Sequence, residues 1–126
     1  MLPPYADLLG LSVDPTDEDG CRLIMPFGDA VIGRPGFLHG GAISGLLEVA
    51  AIVALKHALE DEGGGRIKPI NVTVDFMRGG REKPTYGSGK VTRLGTRVAN
   101  VEAIAWQEDM DKPIAAARLN YLIVRE

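Results

Sequence analysis

His39-Gly40-Gly41-Ala42-Ile43-Ser44-Gly45-Leu46-Leu47-Glu48, continued by Val49-Ala50-Ala51-Ile52-Val53-Ala54-Leu55, is the stretch on which the fold turns. From Ala42 to Leu55 every residue is apolar or small except Glu48. A helix that is apolar on nearly all sides is a buried helix. The run is shorter than the ~20 residues a bilayer needs and carries a carboxylate in its middle, so a core helix is expected and a membrane span is not. Burial would put Glu48 in a costly place. An unpaired carboxylate among apolar groups must pair, take up a proton or face a cleft. Two roles stay open to it, a structural contact and a catalytic acid or base.

Working outward, the run begins as a helix start. His39-Gly40-Gly41 follows Pro35-Gly36, and the apolar pattern sets in at once. The first turn of a helix has free backbone N–H groups and the positive end of the helix dipole. Glycines there let a ligand come close, so Gly40 and Gly41 can offer N–H donors to an anion or a polarised carbonyl oxygen. At the other end, Gly63-Gly64-Gly65 stops the helix, which is expected over Gly40 to Glu62.

Before the helix, Tyr5 to Leu11 carries apolar residues at helical spacing for one or two turns, broken by Gly10. Asp14 to Gly20 reads as a turn, Cys21 to Phe27 as a strand ending near Pro26, and Gly28 to Leu38 as a loop. After it, everything reads as strand. Ile70 to Arg78 alternates, with Val72, Val74 and Phe76 on one face. Thr85 to Leu94 contains Gly87 and Gly89, a sign of a bend or of close packing against the helix. Arg97 to Gln107 alternates large and small, and its face of Ala99, Val101, Ala103 and Ala105 is small enough to lie under a helix. Ile114 to Val124 is the last strand. Short turns between the late strands imply an antiparallel meander. An α+β fold is expected, a curved antiparallel sheet wrapped around one long central helix.

Composition narrows the function. The 126 residues suffice for one domain, 1–126, with a real core. A net charge of −3 argues against general nucleic-acid or membrane-surface binding, so no nucleic-acid and no membrane partner is expected. The lone cysteine, Cys21, rules out an internal disulfide and fits a reducing compartment. No basic segment followed by an apolar one opens the chain, so the cytoplasm is the expected location. Two scattered histidines and one cysteine make a metal site unexpected, and they form no nucleophilic triad.

This order of elements, with these residues in it, resembles the hotdog-fold thioesterases, in particular the phenylacetate-pathway (PaaI-type) and hydroxybenzoyl-CoA thioesterase families. Leu8-Leu9-Gly10-Leu11 is similar to the family's N-terminal segment. Gly36-Phe37-Leu38-His39-Gly40-Gly41 resembles its signature loop, and Glu48 falls where the family has its catalytic Asp or Glu. Val74-Asp75-Phe76-Met77-Arg78 and Leu94-Gly95-Thr96-Arg97 resemble two later strand landmarks. The resemblance implies a hotdog fold, hydrolysis of an acyl-CoA thioester, no cofactor beyond the substrate's own coenzyme A, and a homodimer or a dimer of dimers. One position departs. The family carries Asn or Gln six residues before the histidine, and here that position is Gly33, beside Arg34. A non-catalytic acyl-CoA-binding module is therefore the alternative.

On this basis the Gly40 N–H, aided by Gly41, is assigned to the thioester carbonyl oxygen. Glu48 is the general base on water or a nucleophile. His39 either meets the substrate or fixes the loop. Ser44, one turn before Glu48, bonds it, the water or its own helix backbone. Gly33 is expected at the substrate, where the family's carboxamide helps hold the thioester or the water, and Phe37, with Leu38, Phe76, Met77 and Trp106, reads equally as the lining of an apolar pocket or as core. Arg78, Thr96, Arg97 and Arg125 are expected near the coenzyme A phosphates, either as partners or as solvated charges.

Overall fold

The computed structural model describes residues 2–125. Its elements are α1 (Tyr5–Leu9), β1 (Ser12–Val13), β2 (Leu23–Met25), a 3₁₀ turn at Asp29–Val31, α2 (Gly40–Glu60), β3 (Arg66–Phe76), β4 (Thr85–Leu94), β5 (Val98–Trp106) and β6 (Ala115–Val124). The strands form one six-stranded sheet in the order β1-β2-β4-β5-β6-β3, every pair antiparallel. The sheet wraps the long helix α2, as the alternation of the late strands predicts. β4, β5 and β6 follow one another as a meander. β3 pairs with the far side of β6 and forms one edge.

Side-chain size explains how the helix lies down. The inner faces of β5 and β6 present Ala99, Val101, Ala103, Ala105, Ala115 and Ala117, all buried. On β4 the two glycines are closer still to α2. A Cβ at Gly87 would stand 2.8 Å from Leu46 Cγ, and one at Gly89 would stand 2.6 Å from the Ala50 carbonyl oxygen. Backbone at that distance cannot step aside cheaply. Gly89→Ala is therefore expected to lower stability by about 2 kcal/mol, as overpacked cores do. Urea unfolding measures it, and a neutral substitution would mean that α2 shifts freely on β4.

By length and composition alone α2 could cross a bilayer, with 21 residues and a mean hydropathy of 1.7. Its packing over β4, β5 and the near side of β6 identifies it as the core helix. It ends at Glu60, and 61–63 form the turn that the glycines impose. β2 is shorter than expected because Pro26 stops it. β3 starts at Arg66, ahead of Ile70. Pro69 is tolerated there because β3 is an edge strand and its register slips between Pro69 and Asn71.

One expectation is overturned. Glu48 is exposed, not buried. The helix is apolar almost all round, but a single chain does not cover it all round. Gly41, Ser44, Glu48, Ile52 and Lys56 form a stripe at helical spacing that is exposed or half-buried. Beyond that stripe stands the inner face of β3, where Val72 is 47% and Phe76 56% exposed. The apolar surface that the sequence assigns to a core thus remains open along one groove between α2 and β3.

Candidate active site

The loop before α2 is built to present His39 and Gly40. Ile32 and Leu38 form an isolated bridge. Inside it, Arg34-Pro35-Gly36-Phe37 is a turn closed by the Phe37 N–H on the Arg34 carbonyl at 3.0 Å, with Gly36 at φ 83°. Pro at the second position and a left-handed Gly at the third make it type II. The Leu38 N–H donates to Gly80 O at 3.0 Å, and the His39 N–H donates to Val31 O at 2.8 Å. These two bonds anchor the helix start to the β3–β4 connection and to the 3₁₀ turn.

His39 is the N-cap of α2. Its backbone is extended, and its Nδ1 accepts the Gly41 N–H at 2.8 Å. The neutral ring then carries its proton on Nε2, which points away from the cap. This bond is a capping contact, and Nε2 takes no part in it. The same bond takes the Gly41 N–H out of the set of available donors. The Gly40 N–H makes no hydrogen bond among the described residues. It stands at the positive end of the helix dipole with the Phe76 ring beside it, 3.5 Å from where a Gly40 Cβ would lie.

Glu48 and Ser44 share the open stripe, one turn apart. Neither makes a hydrogen bond or ion pair among the described residues, so the Ser44 hydroxyl does not bond back to its own helix. Along the helix axis Gly40 and Glu48 are about 12 Å apart. Across the groove lie Val72, Val74 and Phe76 of β3. Beneath it, on β6, Tyr121 is buried and its hydroxyl has no hydrogen-bond partner. Burial first, then the Glu48 charge, pushes the Tyr121 phenol well above its usual range. Sequence reading missed Tyr121. The available signal was period 2 along β6, which puts Tyr121 on the inner face with Ala117 and Leu119.

Gly33 lies against the histidine, as its spacing implies. A Cβ at Gly33 would sit 3.0 Å from His39 Cα and 3.3 Å from His39 N. Its φ is not in the left-handed region, so space and not backbone angle restricts the site. Restoring the family's carboxamide with Gly33→Asn is therefore expected to lower stability by about 1 kcal/mol or more and to give no gain in turnover. A gain would show that the loop yields and that the missing carboxamide was limiting.

Phe37 is half-buried. Its ring is held between two guanidiniums, Arg34 Cζ at 4.1 Å and Arg81 Cζ at 4.4 Å from the centroid. Arg78 is exposed at the end of β3. It lines a shallow cavity of about 170 Å³ with Lys83, Gln107 and Lys112. Lys83 pairs with Glu108.

Thr96, Arg97 and Arg125 lie at the opposite end of α2, roughly 20 Å along the axis from Glu48. Arg125 is committed to the protein itself. Its Nε donates to Thr96 O and its Nη2 to Gly95 O, both at 2.9 Å, and its Nη1 meets Glu62 Oε1 at 2.9 Å. It latches the last strand to the β4–β5 turn and the helix end. That use replaces the phosphate contact expected of it. One chain therefore has His39, Gly40, Gly41, Gly33, Phe37 and Arg78 about the start of α2, Ser44 and Glu48 one and two turns further along it, and Thr96 and Arg97 at the other end. Burial first, then the carboxylates of Asp17, Asp19 and Glu60, push the Cys21 thiol up, which disfavours its thiolate.

A sequence model of the thioesterase superfamily matches residues 35–114. The chain is 26% identical over 133 aligned positions to the medium/long-chain acyl-CoA thioesterase YigI of Escherichia coli strain K12, spanning 95% of this chain and 85% of that protein. Among solved structures, a Chromobacterium violaceum protein is 34% identical with a TM-score of 0.73, covering 97% of this chain and 84% of its own. A Pseudomonas aeruginosa protein is 29% identical with a TM-score of 0.79, covering 94% and 88%.

Proposed function

The chain belongs to the thioesterase superfamily, and from that premise we propose that it hydrolyses an acyl-CoA thioester to the free acid and coenzyme A. One observation carries the reading: among the described residues, an N–H donor without a partner at Gly40, the first residue of the central helix, and a carboxylate without a partner at Glu48, on the open stripe of that helix. The Gly40 N–H accepts the negative charge that grows on the thioester oxygen. Glu48 takes a proton from water as the water oxygen bonds to the carbonyl carbon. The tetrahedral species then breaks its C–S bond, and the coenzyme A thiolate leaves with the proton from Glu48. Direct attack by Glu48, through an anhydride that water opens, is the other course the same carboxylate allows.

A second copy of the chain completes the site in this proposal. Gly40 and Glu48 of one helix are too far apart to reach one carbonyl and its water, each of which needs a group within about 3 Å. Two antiparallel helices about a two-fold axis bring the start of one beside the middle of the other. Support comes from β3, a long edge strand with Ile70, Val72 and Phe76 exposed. Such an edge favours pairing with another chain. The pair, or a dimer of dimers, also carries the partner's Thr96 and Arg97 toward the site, where with Arg78 they meet the phosphates of coenzyme A. The apolar walls of the groove, Val72, Val74 and Phe76, suit an apolar acyl group. That agrees with the medium- and long-chain substrates for which YigI is named. The cytoplasm, which keeps a lone thiol reduced, is where we place the reaction.

Gly33 favours a second reading, a module that binds acyl-CoA without cleaving it, because no carboxamide stands there to hold the thioester or the water. Release of free thiol from a panel of aryl- and fatty-acyl-CoAs separates the two. Turnover on any member is the expected result. Saturable binding with no thiol released from any of them would establish the binding module instead.

A further inference from the structure

Tyr121 carries an oxygen that packing does not explain. The residue is 1% exposed, and its hydroxyl has no partner among the described residues. Its cross-strand neighbours are Ala99 on β5 and Pro69 on β3. Alanine has no polar side chain and proline has no N–H. Its inner-face neighbours along β6, Leu119 and Ile123, are apolar. A buried hydroxyl left unpaired is costly, and phenylalanine would fill the same space without that cost. α2 packs over β6, and the carboxylate whose charge reaches the phenol is Glu48. Because burial and that charge both hold the proton on the phenol, Tyr121 stays a donor at every working pH. A buried donor without an acceptor on β6 and an exposed carboxylate without a donor on α2 thus belong to elements packed together.

We propose that Tyr121 is the positioning residue for Glu48: in the working site its O–H donates to one carboxylate oxygen and leaves the other to take the proton from water. An inward turn of the exposed Glu48 side chain makes the contact. The bond fixes the carboxylate's orientation and favours its charged form. This role presupposes the hydrolysis by Glu48 proposed above. Other titratable groups near the groove are few. His39 and Lys56 lie on the helix itself, and the Tyr5 hydroxyl of α1 reaches the helix at Gly45. The inner faces of β3 and β5 carry no ionisable side chain.

Tyr121→Phe keeps the ring and removes the donor. kcat is expected to fall about 10-fold, the scale of one hydrogen bond to a charged group, with KM within about twofold. The acid limb of the rate profile should move to higher pH, because the carboxylate has lost a donor that favoured its charged form. On a Glu48→Gln background the same change should alter the residual rate by less than about twofold. A readout that needs no turnover is the carboxyl carbon of Glu48, followed by NMR in glutamate-labelled protein and assigned with Glu48→Gln. It should titrate at higher pH in Tyr121→Phe than in wild type. If Tyr121→Phe does not fold, fluorotyrosine at 121 keeps the volume, strengthens the donor and should move that titration to lower pH. A loss of stability alone, with kcat, acid limb and carboxyl titration unmoved, overturns the positioning role. Failure of the hydrolysis proposal looks different. Glu48→Gln would then turn over like wild type, while the carboxyl titration would still decide whether Tyr121 bonds Glu48.

Discussion

Glu48→Gln is expected to lower turnover by at least about 10²-fold while acyl-CoA still binds. The substitution keeps the shape of the side chain and removes its capacity to accept a proton from water. Its interpretation is clean because Glu48 is exposed and makes no hydrogen bond or ion pair among the described residues. No buried partner is stranded, so stability should change by no more than about 0.5 kcal/mol. A carboxylate that served only the fold would give the reverse pattern, with stability lost and the rate per folded molecule kept. Thiol release, binding of a non-hydrolysable thioether analogue and urea unfolding on the same preparations separate the two. Unchanged turnover would discard Glu48 as base and as nucleophile.

Gly40→Pro is expected to lower turnover by about 10²–10³-fold, the loss typical of one oxyanion donor. The helix should survive. Gly40 is its first residue, where proline is tolerated because the missing N–H has no helical partner. His39 precedes it at φ −70° and ψ 134°, a conformation that proline accepts in its predecessor. An added Cβ meets only the Phe76 ring, at an ordinary contact distance of 3.5 Å. Gly40→Ala is the control, since it adds a methyl and keeps the N–H; its turnover should stay within a few-fold of wild type. Helical circular dichroism unchanged in both, with only the proline variant inactive, assigns the loss to the donor. An active proline variant would mean that the carbonyl is polarised elsewhere.

Most of the fold was legible because its elements obey simple periods. The apolar run from Ala42, the glycines at 63–65 and the alternation in β5 and β6 each specify one local structure, and together they admit one arrangement. Gly87 and Gly89 left two readings, a bend or close packing against the helix, and the structure shows the close packing. What escaped is what depends on coverage. Apolar residues round a helix say that something covers it, but not that the same chain does, so Glu48 was expected inside and is outside. His39 illustrates a second limit. A histidine before two glycines reads as a ligand contact or as a residue that fixes the loop, and the Nδ1 bond that makes it a cap is not visible in the sequence. Arg125 illustrates a third, since an arginine near a chain end gives no hint of the two carbonyls and the Glu62 carboxylate that occupy it. Tyr121 was passed over because its strand reads as core, and a hydroxyl at the end of an aromatic ring does not disturb that pattern.

Whether two chains make one site is the central claim, and two inactive variants test it. Gly40→Pro retains Glu48, and Glu48→Ala retains the Gly40 donor. Unfolded together in equal amounts and refolded, they should give mixed dimers as half of the total, each with one intact site and one doubly broken site. Thiol release by the mixture is expected at about a quarter of the wild-type rate, by that symmetry count. A mixture as inactive as its parents, with mixed dimers demonstrated by mass spectrometry, would contradict the shared site.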